Sequence, residues 1–187
     1  MKQALRIIAG EFRGQRLEGP TGAEIRPTTD RIREALFSSL MPILPGARFA
    51  DVFAGTGAVG LEALSRGAGF ALFVESNPRC VQALRANVAK LGVEKEVAVA
   101  AGRAERVWAS LAEKHGPFDL LFLDPPYADR TGERVLELAL GEGVGLAPEA
   151  LVIFQHARRE PPASPLEPYR VQDYGDSRLS WYRREGG

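Results

Sequence analysis

The chain has 187 residues, 45% hydrophobic and 26% charged, which suits one compact domain with a full core and is short for two independent ones. Its 24 basic and 24 acidic side chains cancel, so any nucleic-acid affinity must come from local basic patches and not from a global positive field. Cys80 is the only cysteine and the two histidines, His115 and His156, lie far from it; an internal disulfide and the usual zinc cluster are excluded, and no metal is expected.

No run approaches the roughly 18 apolar residues of a membrane span, and Met1 to Arg6 leads into no signal-like block. A soluble, cytoplasmic and monomeric protein is expected. Arg outnumbers Lys by 20 to 4, which fits a GC-rich genome.

Residues 1–27 read as a β-hairpin extension: Leu5 to Ala9 and Arg16 to Glu18 are strand-like runs around Gly10, Arg13-Gly14 and Gly19-Pro20. Residues 28–187 read as one compact unit. Thr28, Thr29 and Asp30 are helix N-caps, and Ile32, Ala35, Leu36 and Leu40 recur at helical spacing until Pro42. From Arg48 onward, β-rich runs alternate with helical ones: Phe49 to Phe53, Phe70 to Glu75, Glu96 to Ala100, Phe118 to Asp124 and Ala150 to Gln155. That alternation predicts an α/β fold with a parallel sheet covered by helices on both faces. One of those helices should open at Asn77-Pro78 and close at Gly92. After a Pro-rich connection, Tyr169 to Tyr174 and Leu179 to Arg183 flank Gly175-Asp176. They predict a terminal antiparallel hairpin and bring the sheet to seven strands.

Chemistry concentrates at two loops. The first runs from Asp51 through Phe53, Ala54, Gly55, Thr56 and Gly57 to Gly60, where a strand turns tightly into a helix. Glu75 ends the next strand twenty residues after Gly55, with Ser76 beside it, where a carboxylate can accept hydrogen bonds from ribose hydroxyls. This pattern fits a nicotinamide dinucleotide and S-adenosylmethionine equally. Asp51 tilts the reading toward a ligand carrying an ammonium group, as S-adenosylmethionine does.

The second loop is Asp124-Pro125-Pro126-Tyr127, which the fourth core strand delivers to the carboxyl edge of the sheet. A Pro-Pro pair is also an ordinary way to end a strand. An amino group conjugated to an aromatic base is a poor nucleophile, because its lone pair is delocalised into the ring. The Asp124 carboxylate and the Pro125 carbonyl would each accept one N–H and aim that lone pair, and Tyr127 would stack on an extruded base.

The chain resembles the RsmD family, bacterial enzymes that methylate a guanine N2 amino group in 16S ribosomal RNA. The resemblance runs through Arg6-Ile7-Ile8-Ala9-Gly10, Arg13-Gly14, the block Arg26-Pro27-Thr28-Thr29-Asp30-Arg31-Ile32-Arg33-Glu34, Phe53 to Arg66, and Asp124 to Tyr127. It implies a class I (Rossmann-like) methyltransferase fold, S-adenosylmethionine as donor, and a substrate presented in small-subunit particles during ribosome assembly. It also implies cofactor contacts from Thr28 and Thr29. Relatives often carry Asp or Asn followed by Ala where this chain has Arg103-Ala104. Arg103 cannot accept the adenine amino hydrogen bond, so that contact should fall to backbone or to Glu105.

Arg13, Arg16, Arg31 and Arg33 are candidate RNA contacts; Arg31 and Arg33 could also be solvated helix charges. Arg183 and Arg184 read as a solvated terminus, His115 and His156 as structural, and Cys80 as a packing residue. Trp181 and Tyr182 should be buried in the last strand. Readings left open are methylation of DNA adenine or of a protein glutamine, an RNA-binding module without catalysis, and a dinucleotide oxidoreductase, which would leave Asp124 to Tyr127 without a role.

Overall fold

The structure, a computed structural model, describes residues 5–20, 29–126, 130–164 and 166–184. Thr28, Tyr127, Lys2 and Arg26 lie outside them. The described residues fall into two compact units divided between Gly102 and Arg103.

The first unit holds three parallel strands, β1 (Arg48–Val52), β2 (Phe70–Glu75) and β3 (Val97–Ala101), with Ala50 opposite Leu72 and Leu72 opposite Ala98. Nearly every side chain of β1 and β2 is buried, as parallel strands covered on both faces require. Three helices accompany them: α1 (Asp30–Leu40), α2 (Ala58–Ser65) and α3 (Pro78–Leu91). The Thr29 hydroxyl caps α1 by accepting from the Ile32 N–H at 3.3 Å. Asn77 caps α3, Pro78 sits in its first turn, and Gly92 closes it at φ +71°. The α3 boundaries are those the sequence predicts.

The second unit holds α4 (Ala104–His115), β4 (Phe118–Leu123), α5 (Thr131–Leu136), a π-helical segment Glu137–Gly141, β5 (Leu146–Ala157), β6 (Arg170–Tyr174) and β7 (Ser177–Arg183). Here β4 and β5 are parallel, while β7 runs antiparallel to both β5 and β6. The strand order is β3-β2-β1-β4-β5-β7-β6, a mostly parallel seven-stranded sheet with an antiparallel hairpin at its end. β5 starts four residues before the predicted Ala150, because its register against β4 shifts between Phe118 and Leu120 and Glu149 takes φ +62°. Pro148-Glu149 therefore reads as a loop in sequence although it lies within a strand. Trp181 and Tyr182 are buried, and burial pushes the Tyr182 phenol up to about 12. Burial likewise raises the Cys80 thiol, with Glu75 adding to the effect.

The N-terminal arm, residues 5–20, makes one antiparallel bridge, Arg6 to Arg16, and buries Ile7 and Leu17. Those two side chains contribute roughly 1.5–3 kcal/mol each in transfer terms. The first half of the arm is fastened to α2. The Glu62 carboxylate accepts the Ile8 and Ala9 N–H groups at 2.7 and 3.0 Å. Ser65 donates its hydroxyl to the Ala9 carbonyl and accepts the Phe12 N–H. Gly10 lies so close that a Cβ there would stand 1.8 Å from the Ser65 carbonyl oxygen, and it adopts φ +87°. Only glycine satisfies both constraints.

Glu62 is itself fully buried, as is Arg33. Arg66 Nε donates to it at 2.7 Å, and Arg33 Nη1 stands 3.6 Å away while Nη2 bonds Asp30 at 2.8 Å. This corrects the reading of Arg33 as an RNA contact: with no exposed surface, it serves as the interior counter-charge to Glu62. Arg184, expected as part of a solvated terminus, is half-buried and bonded. Its backbone N–H donates to the Ala150 carbonyl and its guanidinium to the Leu146 carbonyl. Removing one member of a buried ion pair leaves an uncompensated charge. Glu62→Ala should therefore cost about 3–5 kcal/mol in urea unfolding; a loss under about 1 kcal/mol would contradict this role.

His156 sits in β5 with Nδ1 2.8 Å from the Ala157 carbonyl and Nε2 2.9 Å from the Ser180 hydroxyl. A carbonyl only accepts, so Nδ1 carries the proton and Nε2 accepts from Ser180. Burial, aided by Arg178, holds the imidazole below its ordinary value against the raising effect of the Ala157 carbonyl. The unfolded chain thus binds the proton more readily, and stability falls as the pH drops through about 6.5. Unfolding curves between pH 8 and pH 5.5 should show that loss in the wild type and much less of it in His156→Gln.

Candidate functional site

In the first unit the loop between β1 and α2 holds three left-handed residues in five: Phe53 at φ +69°, Gly55 at +56° and Gly57 at +82°. For phenylalanine that conformation costs on the order of 1–3 kcal/mol and needs surroundings that enforce it. Phe53 and Ala54 both donate to the Val74 carbonyl, at 2.9 and 3.0 Å, and Gly57 donates to the Ala54 carbonyl at 2.8 Å. A Cβ on Gly57 would meet Leu84 at 2.3 Å, whereas one on Gly55 would meet nothing within 4 Å. Gly57 is glycine for packing and conformation together. Gly55 is glycine for conformation alone, and open space lies beside it.

Asp51 and Glu75 brace this loop. Asp51 is 2% exposed and its Oδ2 accepts the Gly60 N–H at 2.8 Å, which caps a donor in the first turn of a helix that has no side-chain cap of its own. That bond occupies Oδ2 and orients the carboxylate at the start of the loop. Glu75 is half-buried; its Oε2 accepts the Gly55 N–H and its Oε1 the Asn77 N–H, both at 2.7 Å. Each oxygen keeps a second lone pair for a ribose hydroxyl. Ser76 is exposed and Thr56 buried. An open face beside Gly55 and an oriented carboxylate one strand away suit an adenosine-containing ligand.

In the second unit, Asp124, Pro125 and Pro126 follow β4 directly, with Pro125 buried and Pro126 exposed. Gly132, in the first turn of α5, is pressed against Pro125. A Cβ there would stand 2.4 Å from Pro125 Cγ and 2.9 Å from the Phe154 ring. Sequence reading missed Gly132, whose signal was a glycine inside a helical run. A cavity beside the loop is lined by Pro125, Pro126, Glu133, Phe154, Gln155 and Pro162. Glu133 ties the Pro-rich connection down by accepting the Ala163 N–H at 2.7 Å and Arg130 Nε at 2.9 Å.

Arg103 precedes α4 without capping it, and its Nε donates to Glu105 at 2.6 Å. Ala104 is buried. The Arg that replaces the relatives' acceptor is thus bonded to the residue expected to take over. Arg6, Arg13, Arg16 and Arg31 are exposed. Among the described residues no group of three His, Cys, Asp or Glu side chains could hold a metal ion, and no helix is long and apolar enough to cross a membrane.

If Gly132 sets the position of Pro125, Gly132→Ala should lower methyl-transfer turnover by roughly tenfold or more, as small misplacements of reacting groups do. Affinity for S-adenosylhomocysteine, measured by titration calorimetry, should stay within about twofold, since no residue of the glycine loop is changed. Unchanged turnover would show that the Asp124 loop tolerates movement.

The model of the family "Conserved hypothetical protein 95" matches residues 5–183. The ribosomal RNA small subunit methyltransferase D of Escherichia coli strain K12 is 41% identical over 155 residues, covering 81% of this chain and 74% of its own. The solved Escherichia coli yhhF structure superimposes with a TM-score of 0.83 at 34% identity, over 99% of this chain and 100% of that one. A Salinibacter ruber RNA methyltransferase solved with S-adenosyl-L-homocysteine shares the fold at a TM-score of 0.67 and 16% identity, over 86% and 94% of the two chains. The chain belongs to the RsmD family of class I, S-adenosylmethionine-dependent methyltransferases.

Proposed function

We propose that this protein transfers a methyl group from S-adenosylmethionine to the exocyclic N2 amino group of a guanine in 16S ribosomal RNA during small-subunit assembly, as a soluble cytoplasmic monomer. The observation that carries the reading is Asp124-Pro125-Pro126 directly after β4, with Pro125 locked by Gly132. The likeness to the Escherichia coli ribosomal RNA small subunit methyltransferase D supports RNA as the substrate class.

When bound, S-adenosylmethionine supplies an electrophilic methyl group on a sulfonium. Residues of the loop from Phe53 to Gly57 would hold it, with Glu75 accepting from its ribose. The Asp124 carboxylate and the Pro125 carbonyl would each accept one N–H of the guanine amino group and orient its lone pair. Their acceptor charge also stabilises the positive charge that develops on the nitrogen as it forms the new bond. Tyr127 would stack on the base; the same position is often Phe in relatives, and stacking uses the ring and not the hydroxyl. Exposed Arg13 and Arg16 on the arm, with Arg31 on α1, would meet phosphates. These are local contacts, as a formal net charge of zero demands.

The roles separate kinetically. Asp124→Ala should cut turnover on small-subunit particles by roughly 100-fold or more with cofactor affinity nearly unchanged, whereas Glu75→Ala should mainly weaken S-adenosylmethionine binding. Near-normal turnover by Asp124→Ala would defeat the assignment.

A further inference from the structure

Asn87, on the inner face of α3, is fully buried and belongs to neither loop described above. Its side chain joins three backbone groups. Oδ1 accepts the Glu18 N–H at 2.7 Å, and Nδ2 donates to the Glu18 carbonyl and to the Thr56 carbonyl, both at 3.1 Å. The amide can sit only this way round, because the reverse would face its N–H groups with an N–H and its oxygen with two carbonyls.

Thr56 stands between Gly55 and Gly57, both left-handed. A peptide next to glycine turns over at little steric cost, so the Thr56-Gly57 peptide needs anchors to keep one direction. It has one at each end. The Gly57 N–H donates to the Ala54 carbonyl at 2.8 Å, and the Thr56 carbonyl accepts from Asn87. Through the same amide, the loop is tied to Glu18 at the end of the N-terminal arm.

We propose that Asn87 is a positioning residue for the cofactor loop: it fixes the direction of the Thr56-Gly57 peptide, and cofactor affinity depends on that anchor. This rests on the reading of residues 53–57 as the S-adenosylmethionine loop. Lys90, further along α3, provides the contrast. Its Nζ donates to the Arg16 carbonyl at 2.8 Å, so it holds the arm without touching the loop.

The test uses the full chain with S-adenosylhomocysteine as the probe, titrated into wild type, Asn87→Ser, Asn87→Asp and Lys90→Ala, with Tm measured on each. Serine keeps an acceptor but cannot span to Thr56; aspartate keeps the shape but loses both donors. Either Asn87 variant should raise Kd about tenfold, the equivalent of one lost hydrogen bond. At saturating S-adenosylmethionine, kcat should stay within about twofold, and amide exchange at Gly55 to Gly57 should accelerate. Lys90→Ala should keep wild-type Kd at a lowered Tm.

Folded Asn87 variants with wild-type Kd overturn the proposal. So does an affinity loss that merely follows Tm and recurs in Lys90→Ala, or failure of both Asn87 variants to fold, since each outcome reduces Asn87 to a structural residue. A wild type that does not bind S-adenosylhomocysteine would instead defeat the reading of the loop itself.

Discussion

The first unit depends on a buried carboxylate. Glu62 sits on α2, a helix with every residue buried, and a lone charge there would be prohibitively costly. It is tolerated because Arg33 and Arg66 balance it and two arm N–H groups bond it. That arrangement does two things at once. It seats a short hairpin, held internally by bonds such as Ile7 N–H to the Gln15 carbonyl, as a cover for α2, and it fixes the helix whose first residues follow the glycine loop. One satisfied charge thus joins the arm to the helix.

The loop shows the same economy of constraint. Three left-handed residues in five would not hold their shape as an isolated peptide. Val74 takes two of its N–H groups, Glu75 takes a third, Asn87 takes a carbonyl, and Asp51 holds the helix that follows. Pre-organisation of this kind moves the entropic cost of shaping a binding loop into folding, where the core offsets it. The Asp124 loop is stiffened differently, by two prolines and by a glycine that lets a helix press directly on one of them. In both loops the functional backbone is held by residues that have no direct part in the chemistry.

Much of this was legible in the sequence. Periodicity and caps located β2 and α3 to the residue, because Asn77, Pro78 and Gly92 are punctuation with local causes. The family was legible from Arg26 to Glu34 and from the two loops. What failed was long-range. Arg33 looks like a surface charge until Glu62, which lies 29 positions away, is known to be buried beside it. Arg184 looks terminal until β5 and its irregular start supply carbonyls for it to meet. Asp51 reads in sequence as a carboxylate before glycines, and its bond to the Gly60 N–H at the start of α2 shows only in the fold. Asn87 gave no signal at all, since an isolated Asn in a helical run is ordinary until its three partners assemble.

The central claim is the reaction itself. The most direct measurement is nucleoside mass analysis after incubating the protein and labelled S-adenosylmethionine with small-subunit particles and free 16S RNA from a strain lacking the gene. The account predicts label in N2-methylguanosine. Label in methyladenine or in protein glutamine, or none in either RNA despite cofactor binding, would contradict it.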